Sequence, residues 1–437
     1  MTRTILPLWV LLGSVGMSFG DEPKAATKYK EFAEILDDLK SRDGALRAAA
    51  VRRLQAFGEL GLALIRRELR KAEFGQHWKV LNTRLADLRA ERWKSMPDRA
   101  ADWATAGRWD CMNELLSTSP GRDPAALLDA IVKERGRLSV AFDQCLTTVA
   151  DPMRIPLNAS VEYPPNLLWL AERRSSDDPI TEKEGIATDS LDDWLIRAEV
   201  CRFKYKSRRS CFFSVRARLT DLLPLNDYSE WQMSTLFINS AFAAREISHC
   251  LVICDGDFTL NGRTHELSRS LIICNGDFIA DEVVSPHRVG GGVIYATGDI
   301  RFPNKNKKPS NSVFFAGGKV HDAKGVADAK RIHEGVTDTP FNVRFLDPKE
   351  FGLTLEAAKG GLAVAKQDEK SPFAEQGLRA GDLITHADDL PMKTGADFRR
   401  ELRRGVIDGG LVVHVSRDGK TIPMLFAVPD VPKPPKK

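Results

Sequence analysis

The feature that most constrains this chain is an internal repeat in its middle. Four short segments share an apolar run followed by a glycine: LVICDGDF at 251–258, LIICNGDF at 271–278, VIYATGDI at 293–300 and VFFAGGKV at 313–320. Their starts lie 20, 22 and 20 residues apart. A period of about 20 residues, with a strand and a glycine at a fixed place, is typical of a β-solenoid, in which each coil stacks on the one before.

Aligning the repeats predicts parallel strands with three ladders of side chains. The ladders are Val252, Ile272, Ile294 and Phe314, then Ile253, Ile273, Tyr295 and Phe315, then Cys254, Cys274, Ala296 and Ala316. Adjacent apolar positions point to opposite faces of a strand, so both faces are expected to be buried. One face fills the coil, and helices or a hairpin must cover the other. A preceding coil is expected at 236–244.

The corners of the coils carry glycine and carboxylate residues. We expect Gly256, Gly276, Gly298 and either Gly317 or Gly318 to form the corners, because glycine turns there without steric penalty. Asp255, Asp257, Asp277 and Asp299 are interpreted as corner caps. Two alternatives remain open, a calcium site and the acids of a carbohydrate-active enzyme. Cys254 and Cys274 are expected to be small core residues, with a disulfide as the alternative.

The repeat region, taken as residues 236–335, is similar to right-handed parallel β-helices and more remotely to bactofilin-like solenoids. The second resemblance implies a polymer-forming structural protein. No metal site is predicted, because the seven cysteines contain no CxxC pair and the cluster of His249, Cys250 and Cys254 is not repeated.

Residues 21–150 have a helical pattern. Phe32, Ile35, Leu36 and Leu39 recur at helical spacing, Asp43 stands where an N-cap belongs, and Gly58 where a helix ends. The stretch 43–69 resembles a single HEAT-type repeat, and a generic helical bundle is the alternative.

Residues 151–235 are predicted to hold a linker and a hairpin. The stretch 172–189 is polar, as in a linker, and apolar runs at 194–203 and 209–219 favour a β-hairpin. The basic residues of this hairpin, from Arg202 to Arg218, are interpreted as a solvated strand face and not as a nucleic-acid surface.

The first 20 residues are typical of a cleavable secretory signal. Arg3 precedes an apolar stretch at 5–15, and Ser18 and Gly20 are the small residues before the expected cleavage point. We therefore expect a periplasmic or otherwise extracytoplasmic protein with no membrane span after cleavage. The net charge of +4 over 437 residues excludes a general nucleic-acid binder. Residues 430–437 form a Pro/Lys tail.

Residues 345–429 contain a series of motifs in register. FGLTL at 351–355 is followed by SPFA at 371–374, GL at 377–378 and GDLI at 381–384. This order resembles the PDZ domains of bacterial high-temperature-requirement (HtrA-type) proteases. The resemblance implies that a C-terminal peptide adds as a strand and that its last side chain enters an apolar pocket. The peptide-binding residues so implied are Phe351, Gly352, Leu353, Thr354, Leu355, Phe398 and Leu402. Ordinary core packing of the pocket residues, with a blocked groove, is the alternative.

The protease itself is not predicted. The only GSVG lies at 13–16 in the signal, so the mature chain has no GxSxG-type nucleophile. We expect a multidomain α+β chain whose helical region, solenoid and PDZ domain each have their own core. The favoured function is an exported, non-enzymatic adaptor that needs no cofactor and binds C-terminal peptides. The alternatives are an enzyme acting on glycan or peptide through the solenoid, and a polymer-forming structural protein.

Overall fold

The computed structural model describes twelve parts of the chain before the C-terminal domain, and the whole of that domain. They are residues 23–69, 76–118, 133–145 without 135 and 143, 208–209, 212–215, 230–232, 235–238, 241–260 without 245, 267–280, 292–302, 312–321, 331–337 and 341–431. The predicted signal, the linker at 172–189, the first strand of the predicted hairpin and most of the C-terminal tail lie outside these residues.

The N-terminal part is helical, as predicted. Its helices are α1 (Lys24–Lys40), α2 (Gly44–Ala56), α3 (Gly61–Leu69), α4 (Gln76–Trp93), α5 (Met96–Thr105) and α6 (Trp109–Thr118). The Asp43 carboxylate caps α2 by accepting the Ala45 N–H at 2.7 Å. The apolar stripe of α1 is buried, and Gly58 has the left-handed φ of 71° that follows a helix end. Within the described residues, no helix combines the length and the apolar character that a membrane span requires.

The middle of the chain folds into three sheets of parallel strands. The strands are β1 (Arg208–Arg209), β2 (Phe212–Val215), β3 (Glu230–Gln232), β4 (Thr235–Ile238), β5 (Phe242–Ala244), β6 (Glu246–Ser248), β7 (Leu251–Cys254), β8 (Phe258–Leu260), β9 (Leu267–Ser268), β10 (Leu271–Cys274), β11 (Phe278–Ala280), β12 (Val293–Ala296), β13 (Ile300–Arg301), β14 (Val313–Ala316), β15 (Val320–His321) and β16 (Ile332–His333). The sheet orders are β1-β3-β6-β9, β2-β4-β7-β10-β12-β14-β16 and β5-β8-β11-β13-β15. Each order follows the chain, so the coils stack as a solenoid.

The register of the second sheet confirms the predicted ladders. Ile272 stands beside Val252 on one side and Ile294 on the other, and Phe314 continues the row. The expected coil at 236–244 is also present, because β4 pairs with β7 and β5 pairs with β8.

The two faces of this sheet belong to different cores. Val252, Ile272 and Ile294 point into the coil, where a row of phenylalanines includes the stacked rings of Phe258 and Phe278, 5.5 Å apart. The thiols of Cys254 and Cys274 are free and buried among these interior side chains. They are small core residues, and the disulfide alternative does not apply.

Residues 208–209 and 212–215 extend the solenoid, because β1 pairs in parallel with β3 and β2 pairs in parallel with β4. The other strand of the predicted hairpin, at 194–203, lies outside the described residues, so the hairpin stays a prediction. The reason expected for the corner glycines is corrected: close stacking of the coils, and not the backbone turn, requires them. A Cβ on Gly276, Gly298 or Gly318 would collide with the Asp carboxylate of the preceding coil, so close stacking requires glycine at these positions.

The C-terminal part is an antiparallel sheet with two helices. It begins with a 3-10 turn (Pro348–Phe351) and contains β17 (Leu353–Ala358), β18 (Gly361–Gln367), α7 (Pro372–Glu375), β19 (Leu383–Ala387), β20 (Leu390–Pro391), α8 (Gly395–Asp408), β21 (Gly410–Arg417) and β22 (Lys420–Ala427). The strand order is β17-β18-β19-β21-β22, with β20 beside β19. Thr394 and Asp397 form a capping box at the start of α8.

The solenoid interior forms a core of its own, as predicted, but the helical region and the C-terminal domain share their cores, so the prediction of separate cores is wrong for these two. One core joins Trp109 of α6, the outward residues Ile253 and Ile273 of the solenoid, and Leu353 and Leu402 of the C-terminal domain. A second core joins α1–α4 to Val412 and Leu425 of the β21–β22 hairpin. The outer face of the solenoid sheet is therefore covered by helices, as expected, and also by the C-terminal domain.

The connection from the solenoid to the C-terminal domain is part of the first core. Phe341, Val343 and Leu346 are buried in it. The Arg344 N–H donates to the Gly107 carbonyl at 2.8 Å, and the Leu346 N–H donates to the Asp110 carboxylate at 2.6 Å. Residues 341–346 are thus a packed strap between the solenoid and the C-terminal domain.

Candidate functional site

The strand β17 lies at the end of its sheet. Within the described residues it pairs with β18 alone, and its register shifts between Thr354 and Leu355. Leu353 is buried, Thr354 and Leu355 are half-buried, and the strand becomes exposed from Glu356 to Ala358. An edge strand of this kind presents unpaired backbone N–H and C=O groups to which an extended peptide can add.

The turn before β17 is preformed. Gly352 has a left-handed φ of 72°, which favours glycine. Its N–H donates to the Lys349 carbonyl at 3.0 Å, and its carbonyl accepts the Asp368 N–H at 2.9 Å. The Ser371 hydroxyl donates to the Phe351 carbonyl at 2.7 Å. The Gly352 amide, one of the predicted donors to a peptide carboxylate, therefore already has an internal acceptor.

The apolar residues among the predicted site residues belong to one core. Phe351, Leu353, Phe398 and Leu402 are all buried in it, and Leu355 packs against it while staying half-buried. All seven predicted site residues lie on the 3-10 turn, Gly352, β17 or α8. Gly352, Thr354 and Leu355 are half-buried, and the other four are buried.

Arg108 ties the turn before β17 to the helical region. Its guanidinium forms a two-oxygen ion pair with Glu350 and donates to the Phe345 carbonyl at 3.1 Å. Burial acts to lower the pKa of Arg108, but Glu350 and Asp110 outweigh it and raise that pKa. The Glu350 side chain also completes a capping box with Asp347. The loop is thus held by a residue that is 242 positions away in sequence.

Ion pairs connect the helix α8 to the solenoid. Its Arg399 donates through Nη2 to Oδ1 of Asp255 at 3.0 Å, and its Arg403 pairs with the other oxygen of the same carboxylate. Arg403 Nη1 also lies 3.5 Å from Oδ2 of Asp110 in α6. Burial acts to raise the pKa of Asp255, but Arg403 and Arg399 outweigh it and lower that pKa to about 2.

The other end of α8 is bound to the helical region. Arg92 of α4 donates to the carbonyls of Val406, at 2.9 Å, and of Ile407. These carbonyls belong to the last turn of α8, where the helix dipole favours a cation. Arg66 of α3 pairs with Asp408 and with Asp388 in the turn between β19 and β20. Nearly all of α8 beyond its first turn is consequently buried.

The sequence analysis missed these ion pairs. The available signal was the composition of α8, whose RRELRR run at 399–404 surrounds an apolar stripe with charges. Spacing showed which side chains share a helix face and gave no indication that Asp255 and Asp110 would be their partners.

The corner carboxylates of the solenoid form a regular ladder. Oδ1 of Asp257 accepts the Asp277 N–H at 2.8 Å, Oδ1 of Asp277 accepts the Asp299 N–H at 2.8 Å, and Oδ1 of Asp299 accepts the Lys319 N–H at 2.9 Å. The corner-cap interpretation is confirmed for these three residues. Among the described residues, no group of three or more His, Cys, Asp or Glu side chains is placed to hold a metal ion.

The comparison with protein families decides the nature of the C-terminal domain. The family model of the PDZ domain matches residues 350–424. These residues form a PDZ domain. The match covers β17, where a peptide would add, and α8, the helix beside it. A search of curated proteins gives no match for the chain. A PDZ domain supports a protein-interaction or scaffold role.

Proposed function

We propose that this protein is an exported, non-enzymatic scaffold whose PDZ domain binds the C-terminal peptide of an extracytoplasmic partner. The peptide adds as a strand along β17, beside residues 353–356. The observation that carries this proposal is the position of β17 at the free end of the PDZ sheet, directly after the left-handed turn at Gly352.

The chemistry of such a site is strand addition. Main-chain hydrogen bonds along β17 supply affinity, and an apolar contact selects the last side chain. Leu355 is the predicted pocket residue that remains half-buried, so it is the first apolar side chain that an incoming peptide meets. The packing of Phe398 and Leu402 favours a small apolar last residue, because a larger one would need these buried side chains to move.

The carboxylate of the peptide is held by the turn at 351–353. The Gly352 amide exchanges its bond to the Lys349 carbonyl for one to the carboxylate, and a small opening of the turn accompanies binding. The expected export of the protein rests on the N-terminal signal sequence. The solenoid serves as a scaffold and not as an enzyme. This is supported by its corner carboxylates, which accept hydrogen bonds from backbone N–H groups of the next coil.

The test is a titration of the full mature chain with a library of peptides that have free C-termini. We expect a peptide with an apolar last residue to bind below about millimolar Kd, and its C-terminal amide to bind more weakly. Leu355→Trp should abolish binding because it blocks the approach along β17. Thr421→Trp is the matched control, since Thr421 is exposed on β22 at the opposite edge of the sheet. Equal binding of acid and amide, or no binding of any peptide, would contradict the proposal.

A further inference from the structure

One corner residue of the solenoid differs from the others in what it contacts. Asp257, Asp277 and Asp299 each accept a backbone N–H from the next coil. Asp255 instead turns its carboxylate toward the PDZ helix α8, where it meets Arg399 and Arg403, and it is buried. Its contact with its own coil stack is the Asn275 amide, which donates to Oδ1 at 2.6 Å.

The two walls of the peptide site are held by different parts of the molecule. The strand β17 belongs to the PDZ sheet and is hydrogen-bonded to β18. The helix α8 is bound near its middle by Asp255 of the solenoid and Asp110 of α6, and at its end by Arg92 of α4. The position of α8 relative to β17 therefore depends on residues outside the PDZ domain.

We propose that Asp255 of the solenoid is a positioning residue for the PDZ peptide site. By holding Arg399 and Arg403, it sets where α8 stands beside β17, and so couples the solenoid to the affinity for the peptide. This inference rests on the proposed function. Asp255 does not touch the peptide, since its partners lie on the solenoid-facing side of α8 and the peptide adds to β17.

The substitution Asp255→Asn isolates this role. Asparagine keeps an oxygen for the Asn275 amide, so the corner is preserved, but it removes the charge that two arginines share. Arg403 then retains Asp110, whose Oδ2 lies 3.5 Å from its Nη1. The middle of α8 loses its anchor to the solenoid, while Arg92 still holds the end of the helix.

Three further variants separate positioning from general loss of stability. Asp277→Asn changes another corner carboxylate of the solenoid, one that contacts the next coil. Ala296→Phe overpacks the solenoid interior, a different core from the one that α8 joins, and should lower the melting temperature while it leaves the Asp255 ion pairs unchanged. Asp255→Glu keeps the charge and should restore part of the affinity.

The experiment measures peptide Kd, melting temperature and the hydrogen exchange of α8 amides in the full mature chain. We expect Asp255→Asn to raise the Kd of the tightest-binding peptide by about tenfold. We also expect it to speed the exchange of α8 amides by about tenfold. Asp277→Asn and Ala296→Phe should both keep the Kd within about twofold of wild type, although only the second lowers the melting temperature.

Unchanged peptide affinity and unchanged α8 exchange in Asp255→Asn would overturn the inference. If Ala296→Phe raises the peptide Kd as much as Asp255→Asn does, the loss of affinity follows from lower stability, and the inference is also overturned. Should Asp255→Asn fail to fold, Arg399→Gln removes one of the two contacts and leaves the Arg403 pair in place. A wild-type chain that binds no peptide would overturn the proposed function, and the exchange of α8 then decides the positioning role by itself.

Discussion

The solenoid and the PDZ domain are stabilised by contacts that span very different distances along the chain. In the solenoid, Asp277 accepts the N–H of Asp299, 22 residues later, and each coil repeats a similar contact. In the PDZ domain, Arg403 of α8 pairs with Asp255, which is 148 residues earlier. The solenoid stacks through its own neighbouring coils, whereas α8 is completed by two other regions.

This difference explains why the PDZ domain tolerates so many charges in a buried helix. A buried ion is costly unless it is paired and hydrogen-bonded. Arg403 has the carboxylates of Asp255 and Asp110 beside it, and Arg66 has those of Asp388 and Asp408. These ion pairs join the three regions in addition to their shared apolar cores.

The largest effect is expected from removing the cation at the junction. Arg403→Gln leaves Asp255 and Asp110 buried with one charge fewer to compensate them, and should lower the free energy of unfolding by about 3 to 5 kcal/mol. Denaturant unfolding measures this change. Arg399→Gln is the control, because Arg399 is partly exposed and Arg403 still pairs with Asp255. An equal loss of unfolding free energy in both variants would mean that Arg403 stabilises the junction no more than the partly exposed Arg399 does.

Within the solenoid, the sharpest test is a methyl group at a corner. A Cβ on Gly298 would collide with the Asp277 carboxylate and lie 3.0 Å from the backbone carbonyl of Gly276. Gly298→Ala should therefore cost about 3 kcal/mol, measured by the same unfolding experiment. Gly136→Ala is the matched control, since a Cβ there meets open space in a helix and should stabilise by about 0.5 to 1 kcal/mol. Tolerance of Gly298→Ala would show that the coils are less closely stacked than the structure indicates.

Acid should weaken the junction before it weakens the solenoid interior. The pKa of Asp255 is lowered to about 2 in the folded chain. A lowered pKa stabilises the fold above the unfolded value near 4, and this contribution of about 2 kcal/mol is lost as the pH falls from about 4 to 2. The difference in unfolding free energy between wild type and Asp255→Asn should therefore shrink over this range. A difference that stays constant down to pH 2 would contradict the ion pair.

The smallest effect is expected at a corner carboxylate. Asp277→Asn keeps an oxygen that accepts the Asp299 N–H, so the melting temperature should not change measurably. Asp277→Ala removes the acceptor and should cost about 1 kcal/mol. If Asp277→Asn abolished an activity of the protein at unchanged stability, the purely structural role of the solenoid corners would be contradicted. The enzyme alternative would then be favoured.

The sequence by itself determined the local and repeated parts of this protein. The ladders of the solenoid and the buried stripe of α1 were predicted from local spacing. The PDZ domain from 351 onward was predicted from the resemblance of its motifs to a known family. The seven peptide-binding residues implied by those motifs stay a prediction. Alternation along a strand reports that a face is buried, and the outer ladder of Ile253 and Ile273 was correctly predicted to be covered.

Only the tertiary structure decided what covers that face and what compensates the charges of α8. A pattern of apolar residues excludes water from a surface but does not specify the partner, so the PDZ domain was not foreseen on the solenoid. The same limit applied to 212–215, whose short apolar run did not indicate that it would pair in parallel with β4 as part of the solenoid. Asp255 shares its repeat position with Asn275 and Thr297, and only the three-dimensional approach of Arg399 and Arg403 gives it a separate role.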